Sequence, residues 1–297
     1  MRILFFLLIF ILIVNLTAEI IRIELPDKSA VKLKHYTKFD FPEINESSAL
    51  VKSRFWENLY WTLNDSGDEA RIFPVNRQGN VYRAEWYDST QAGIRLPEAV
   101  NVDWEDIATD DSGNLYIAAC GNNNNTRRDL AVYILKDPYP QFTSQTTITH
   151  KIRFHYPDQI EFPPEKMNYD CEAIFIAYDK IHLLTKHRSD TNTCLYRFDE
   201  IDPNRENTPL KLGCFNIQGM VTAADCSSDS RDLVVLTYNA IWLFESETGD
   251  YFTGKVSWLP IIAGQCEAIC FDKEFILLSN EEGFIYEISR SDLIEVN

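Results

Sequence analysis

Carboxylates recur at one kind of place along this chain. Five times an acidic residue and an alanine or other small residue open an apolar run: E-S-S-A-L-V (Glu46 to Val51), D-W-E-D-I-A (Asp103 to Ala108), D-C-E-A-I-F (Asp170 to Phe175), T-A-A-D-C-S (Thr222 to Ser227) and Q-C-E-A-I-C (Gln265 to Cys270). Carboxylates gathered by a fold repel one another unless a cation or hydrogen-bond donors compensate. Their oxygens are the ligands that hard divalent cations select. Glu105, Asp106, Glu172, Asp225 and Glu267 are therefore the candidate ligands for Ca2+ or Mg2+, with Glu46 a weaker member. A cation held there can polarise an ester, lactone or phosphate and activate water, with Glu172 or Glu267 among the candidate catalytic groups. The same carboxylates have a second use: at a strand start they can accept backbone N–H groups of a neighbouring unit and lock the two together.

Other polar residues fall at related places. Asn64, Asp65 and Asn122 end apolar segments and can add oxygens from the same side. T-K-H-R (Thr185 to Arg188) ends the corresponding segment of the third unit. There Lys186 can face the acidic residues or bind an anionic ligand, and His187 can carry a proton. Arg127 and Arg128, beside a run of asparagines, can grip a phosphate or carboxylate. The asparagine run also suits a tight loop, because asparagine tolerates left-handed backbone. His182, inside an apolar strand pattern, reads as a packed residue. No G-x-S-x-G, H-E-x-x-H, P-loop or G-x-G-x-x-G occurs, which disfavours a serine-elbow hydrolase, a zincin and any nucleotide cofactor.

The elements that must position these residues repeat with them. Each acidic opening is followed by two further β-like segments: Leu59 to Leu63 and Ala70 to Val75, Asn114 to Ala118 and Leu130 to Leu135, Ile181 to Thr185 and Cys194 to Phe198, Leu233 to Thr237 and Ala240 to Phe244, Phe275 to Leu278 and Phe284 to Ile288. β-Branched and aromatic residues dominate them. Turn chemistry such as D-D-S-G-N (Asp110 to Asn114) and R-Q-G-N (Arg77 to Asn80) separates them. Outer strands are expected at Val81 to Tyr87, Thr147 to Phe154, Leu210 to Ile217 and Lys255 to Pro260. Like units without a helical period between them predict an all-β fold, a single β-propeller over residues 19–297. Five openings favour five blades. A sixth is open if residues 19–45 combine with the C-terminus. The fifth unit lacks an outer strand, and the N-terminal segment between Ile20 and Tyr36 is expected to supply it and close the ring.

Composition bounds the function. The chain has 297 residues and a net charge of −17. So acidic a surface repels phosphate backbones and anionic lipid heads, so nucleic acid is not an expected partner. Arg2 followed by the apolar run Ile3 to Val14 and by Ala18 reads as a signal peptide over residues 1–18, too short an apolar run to span a bilayer comfortably. The expectation is an exported protein, periplasmic or extracellular, with no membrane span after cleavage. Seven cysteines in an exported chain can oxidise, and Cys194 and Cys214, in successive strands, can face each other. Asn45 and Asn124 begin N-x-S/T sequons.

N-D-S-G (Asn64 to Gly67), D-W-E-D-I-A, G-N-N-N-N-T-R-R-D (Gly121 to Asp129) followed by V-Y, D-C-E-A, and V-T-A-A-D (Val221 to Asp225) together resemble a largely uncharacterised family of exported bacterial propeller-like proteins. That family is distantly similar to the esterase-like phytase and strictosidine-synthase-like β-propellers. The likeness runs from about Glu46 to the C-terminus. It implies a propeller and export, and brings no activity with it. Where the family usually reads G-D-N, this chain has Gly121, Asn122 and Asn123, which weakens a ligand role for Asn122. Where the family usually has Pro-Asp-Gly, this chain has Ser228, Asp229 and Ser230. The function expected from residues and resemblance together is binding of a small molecule or protein partner at one face, with an acidic ring at the channel. The rival expectation is the metal-dependent hydrolase described above.

Overall fold

A computed structural model describes residues 20–88 and 91–297; the expected leader lies outside them. The fold is an all-β propeller of five blades. Blade I comprises Val51–Lys52, Tyr60–Thr62, Arg71–Val75 and Ile94–Arg95. Blade II comprises Ile107–Thr109, Asn114–Ala119, Ala131–Lys136 and His150–Arg153. Blade III comprises Asp170–Ala177, Lys180–Lys186, Thr193–Arg197 and Leu210–Phe215. Blade IV comprises Val221–Cys226, Asp232–Thr237, Ala240–Glu245 and Lys255–Ile262. Blade V comprises Cys266–Asp272, Phe275–Asn280 and Phe284–Ser289, and takes His35–Lys38 as its outer strand. The first strand of each blade contacts the first strands of its two neighbours, so five inner strands close a ring around a central channel.

The middle strands of the blades carry apolar side chains on both faces, since a blade is sandwiched between two others. Five hydrophobic clusters follow, one at each blade-to-blade interface. Between blades III and IV, Phe175, Phe215, Trp242 and Phe244 are fully buried. Burying such a side chain stabilises by roughly 1.5–3 kcal/mol, so the ring is held mainly by these interfaces. The predicted turns form as their residues dictate. In D-D-S-G-N, Asp110 Oδ1 accepts the N–H groups of Ser112 (2.9 Å) and Asn114 (2.8 Å), and Gly113 takes the left-handed φ of 71° that favours glycine. Cys194 and Cys214 lie opposite each other in blade III and form a disulfide; the other five cysteines are buried and free.

Two expectations need correction. The outer strand of blade I is Ile94–Arg95, not Val81 to Tyr87; Val81 makes only an isolated bridge to Val75. Pro74 in the third strand has no N–H to donate, so the ladder shifts along to Arg71 and Ile72, which pair with Arg95 and Ile94. There is also no sixth blade among the described residues. Residues 20–38 instead run around the rim: Ile20–Ile21 lies parallel to the outer strand of blade III, Val31–Lys32 parallel to that of blade IV, and His35–Lys38 completes blade V. Ile294–Glu295 adds antiparallel to the outer strand of blade IV. No helix among the described residues is long and apolar enough to cross a membrane.

Candidate functional site

The inner strands of blades III, IV and V share one irregularity. Their ladders slip by a residue between Cys171 and Ala173, Val221 and Ala223, and Cys266 and Ala268. Blade II slips alike, with the Glu105 N–H and the Asp106 carbonyl both bonded to Ala118. A bulge leaves its extra residue out of the ladder and re-aims its side chain. The bulged residues are Glu105, Glu172, Thr222 and Glu267, all at the same mouth of the channel. Two of the expected ligands, Glu105 and Glu172, therefore do converge. Asp106 and Asp225 do not belong with them.

Asp106 and Asp225 are the locks. Asp106 Oδ1 accepts its own strand's Ile107 N–H (2.8 Å) and Oδ2 reaches into blade III for the Ile174 N–H (3.1 Å). Asp225 repeats the device two residues further down its strand, accepting the N–H groups of Cys226 (2.8 Å) and of Phe271 in blade V (2.9 Å). Burial raises both carboxyls, Asp106 well above its usual range and Asp225 to about 6, while the backbone donors pull them back. Their oxygens hold backbone N–H groups of the ring, and neither residue belongs to the groups of converging carboxylates.

What gathers instead is Asp65, Asp103, Glu105, Asp170 and Glu172. Ligand oxygens of Asp65, Asp103 and Glu105 lie within 4.8 Å of one another, and so do those of Glu105, Asp170 and Glu172. The two halves differ in their counter-charges. Lys186 Nζ bonds Glu172 Oε2 at 2.7 Å, both side chains buried, and Arg188 bonds Asp170 at 2.7 Å. Glu172 and Asp170 are thus largely satisfied; Asp170 also accepts the Asn122 N–H at 2.6 Å. The other half has no bonded cation among the described residues. Glu105 is only 4 % exposed, and its carboxylate has neither a hydrogen-bond donor nor an ion pair among the described residues. Burial, then the charges of Glu172, Asp65, Asp103 and Asp170, push its carboxyl well up.

Asp65 and Asp103 tell the same story. Their carboxylates face each other, and Asp65 Oδ1 is buried with no donor. The bond between them exists only when a proton or a cation lies there. Burial and Asp103 raise the Asp65 carboxyl to about 7. Asn101, whose amide holds the carbonyl of the neighbouring Asn64 at 3.0 Å, also has a buried Oδ1 without a partner. Gly121 forms the floor: a Cβ there would collide with Glu105 Oε1 and come within 2.6 Å of Asp103 Cγ. The residues fit a divalent cation, with three carboxylates around a space that only a proton or a cation can neutralise.

Glu267 lies apart from both triads. Its Oε1 accepts the Tyr238 hydroxyl (2.9 Å) and Gln265 Nε2 (3.0 Å). Tyr238 in turn faces Lys186, whose ammonium is 5.2 Å from its ring centroid. Glu267 therefore extends the polar rim to the far side of the mouth without completing a ligand set. Glu46 is exposed.

The remaining candidates serve the scaffold. Asn64 is 3 % exposed and spends its amide on the Glu43 carbonyl (2.7 Å) and Asp68 (3.0 Å). Asn122 Oδ1 accepts the Arg127 N–H at 2.9 Å, and Arg127 Nη1 donates to the Gly121 carbonyl at 2.6 Å, so both shape the asparagine loop. Arg127 touches no carboxylate of the cluster; it acts on Asp103 through space. Arg128 stacks on Phe162, 4.0 Å from the ring centroid, where the loop from Tyr156 to Asn168 docks. His187 lies just past the strand's last residue, Lys186. There it meets Asp190 at 2.8 Å, and burial lowers its pKa. It is not beside the cluster. His182 is packed, stacked on Phe175.

Reading the sequence by its glutamates missed Asp103, Asp170 and Arg188. The signal was present: the two participating blades carry D-x-E, as D-W-E and D-C-E, where blade V has Q-C-E. The chain matches no protein-family model and no curated protein.

Proposed function

We propose that this is an exported β-propeller that holds a calcium ion at Asp65, Asp103 and Glu105 and uses the ion-filled mouth to bind an oxygen-bearing ligand or protein partner. The observation that carries the reading is the Glu105 carboxylate, buried, without a donor, and surrounded by other acids. Calcium is favoured over magnesium because it accepts irregular oxygen shells at 2.3–2.6 Å and retains waters, whereas magnesium demands a tight octahedron. Three protein carboxylates leave coordination positions toward the channel mouth, where a partner's carboxylate, hydroxyl or carbonyl can enter. Lys186 and Arg188, beside the ion on the satisfied side, add donors for such a group. The earlier resemblance to exported propellers supports the same placement outside the cytoplasm.

Calorimetry on chelator-stripped protein tests it. One equivalent of calcium is expected to bind, with magnesium weaker. Glu105→Gln removes a ligand charge and Gly121→Ala displaces two ligands, and each is expected to weaken calcium at least about tenfold. Absence of heat with both ions, with no metal retained on purification, overturns the reading.

A further inference from the structure

The opposite mouth of the channel is chemically the reverse of the acidic one. There the inner strands of blades I, II, IV and V end around a cavity of about 480 Å³ bordered by Lys52, Arg54, Lys273 and Arg290. Four of the chain's 28 basic residues line this one space, in a protein whose net charge is −17. Arg54 places it on the axis: its Nη2 donates to the Cys226 carbonyl at 3.3 Å, a bond from blade I across to the non-adjacent blade IV.

The counter-charges there are uneven. Lys52 is paired with Asp272, and Arg290 with Asp232. Arg54 is held at 3.0 Å by Asp111, whose side chain is 69 % exposed. An ion pair so open to water is weak and exchanges readily. Lys273 has no acidic partner among the described residues, and its left-handed backbone, φ 59°, fixes where it leaves the strand end. Asp225, the other acid on the wall, has both oxygens occupied by backbone N–H groups. The volume lies in the range of small-molecule sites.

We propose that this second mouth binds a small organic anion, its carboxylate or phosphate displacing Asp111 from Arg54 and pairing with Lys273. A planar guanidinium offers two parallel N–H donors to such an oxyanion, and the exposed Ser228 hydroxyl lies on the same wall. The site is independent of the cation centre.

Thermal shift and calorimetry with inorganic phosphate and with citrate, each against chloride at matched ionic strength, test the proposal and separate the two chemistries. At least one of the two anions is expected to bind and to raise the melting temperature above the chloride control. Lys273→Gln, at an exposed position where the fold is not at stake, is expected to weaken binding at least about fivefold. Asp111→Asn, which removes the competitor, is expected to tighten it severalfold. Glu105→Gln is expected to leave it unchanged. No binding of either anion beyond chloride, or equal binding by wild type and Lys273→Gln, overturns the proposal.

Discussion

At the scale of the residue, the two kinds of carboxylate at the channel are separated by what their oxygens touch. Asp106 and Asp225 are surrounded by N–H donors, Asp65 and Glu105 by other acids. The difference sets a pH dependence. In the folded chain Asp65 titrates near 7, whereas an unfolded aspartate titrates near 3.9. Between those values the folded state holds the extra proton, so its contribution to stability is present at low pH and is lost as pH rises through about 7. Burial lowers His182 to about 4 and lowers His187 too, which acts in the opposite sense below about 6.5. The comparison that isolates Asp65 is therefore wild type against Asp65→Asn. In metal-free urea denaturation from pH 5 to 8, the stability of wild type is expected to fall relative to the variant, and calcium, taking the proton's place, to restore it. Parallel profiles for the two proteins would remove Asp65 from the account.

At the scale of the element, the bulge is what turns a repeated sequence motif into a site. The five openings announced the inner strands, and the strands are where they were expected. The register within them was less legible. Asp225 counts as the acid of the fourth opening, yet the residue at its bulge is Thr222, because an extra residue in a ladder leaves no mark in the amino-acid alternation. The D-x-E spacing, by contrast, was legible: with a bulge at the glutamate, the aspartate two residues earlier reaches the same mouth. The missed outer strand of blade I has a similar cause, since Val81 to Tyr87 has strand-like composition and only the position of Pro74 relative to the ladder rules it out. Asp106→Ala tests the division between lock and ligand. It leaves the Ile107 and Ile174 N–H groups unpaired in the core, at about 1–3 kcal/mol for each group. A drop of that order in the urea-derived stability is expected, with calcium affinity of the folded protein unchanged; a variant that loses calcium but not stability would make Asp106 a ligand after all.

At the scale of the whole molecule, the ring is closed by strand exchange between the chain's two ends. His35–Lys38 pairs with Phe284–Ser289, and Gly79 leaves room for the belt, since a Cβ there would collide with the Lys38 carbonyl. A chain beginning at Phe39 keeps five inner strands and the buried residues of all five blade-to-blade interfaces, but loses Ile21, Ile23, Leu25 and Leu33 packed against them, and blade V loses an edge. Hydrogen exchange is expected to show the amides of Phe284–Ser289 losing protection first, together with a lower melting temperature; unchanged protection there would mean that the belt is ornament. That one end of the chain completes the last blade was legible in the sequence as a missing strand. That the same segment would first run along blades III and IV was not, because two-residue parallel pairings at Ile20–Ile21 and Val31–Lys32 are too short to leave a pattern.

The belt also has a consequence in time. A ribosome makes His35–Lys38 before any blade exists, and the partner strand comes almost last. Through nearly the whole of synthesis this segment must wait beside unfinished sheets without joining one of them. Its composition suits the wait: Lys32, Lys34 and Lys38 put positive charge on and around the short strands, and charge on an edge strand discourages wrong pairing. A strand made early is thus among the last to be paired, and blade V is complete only when His35–Lys38 meets Phe284–Ser289.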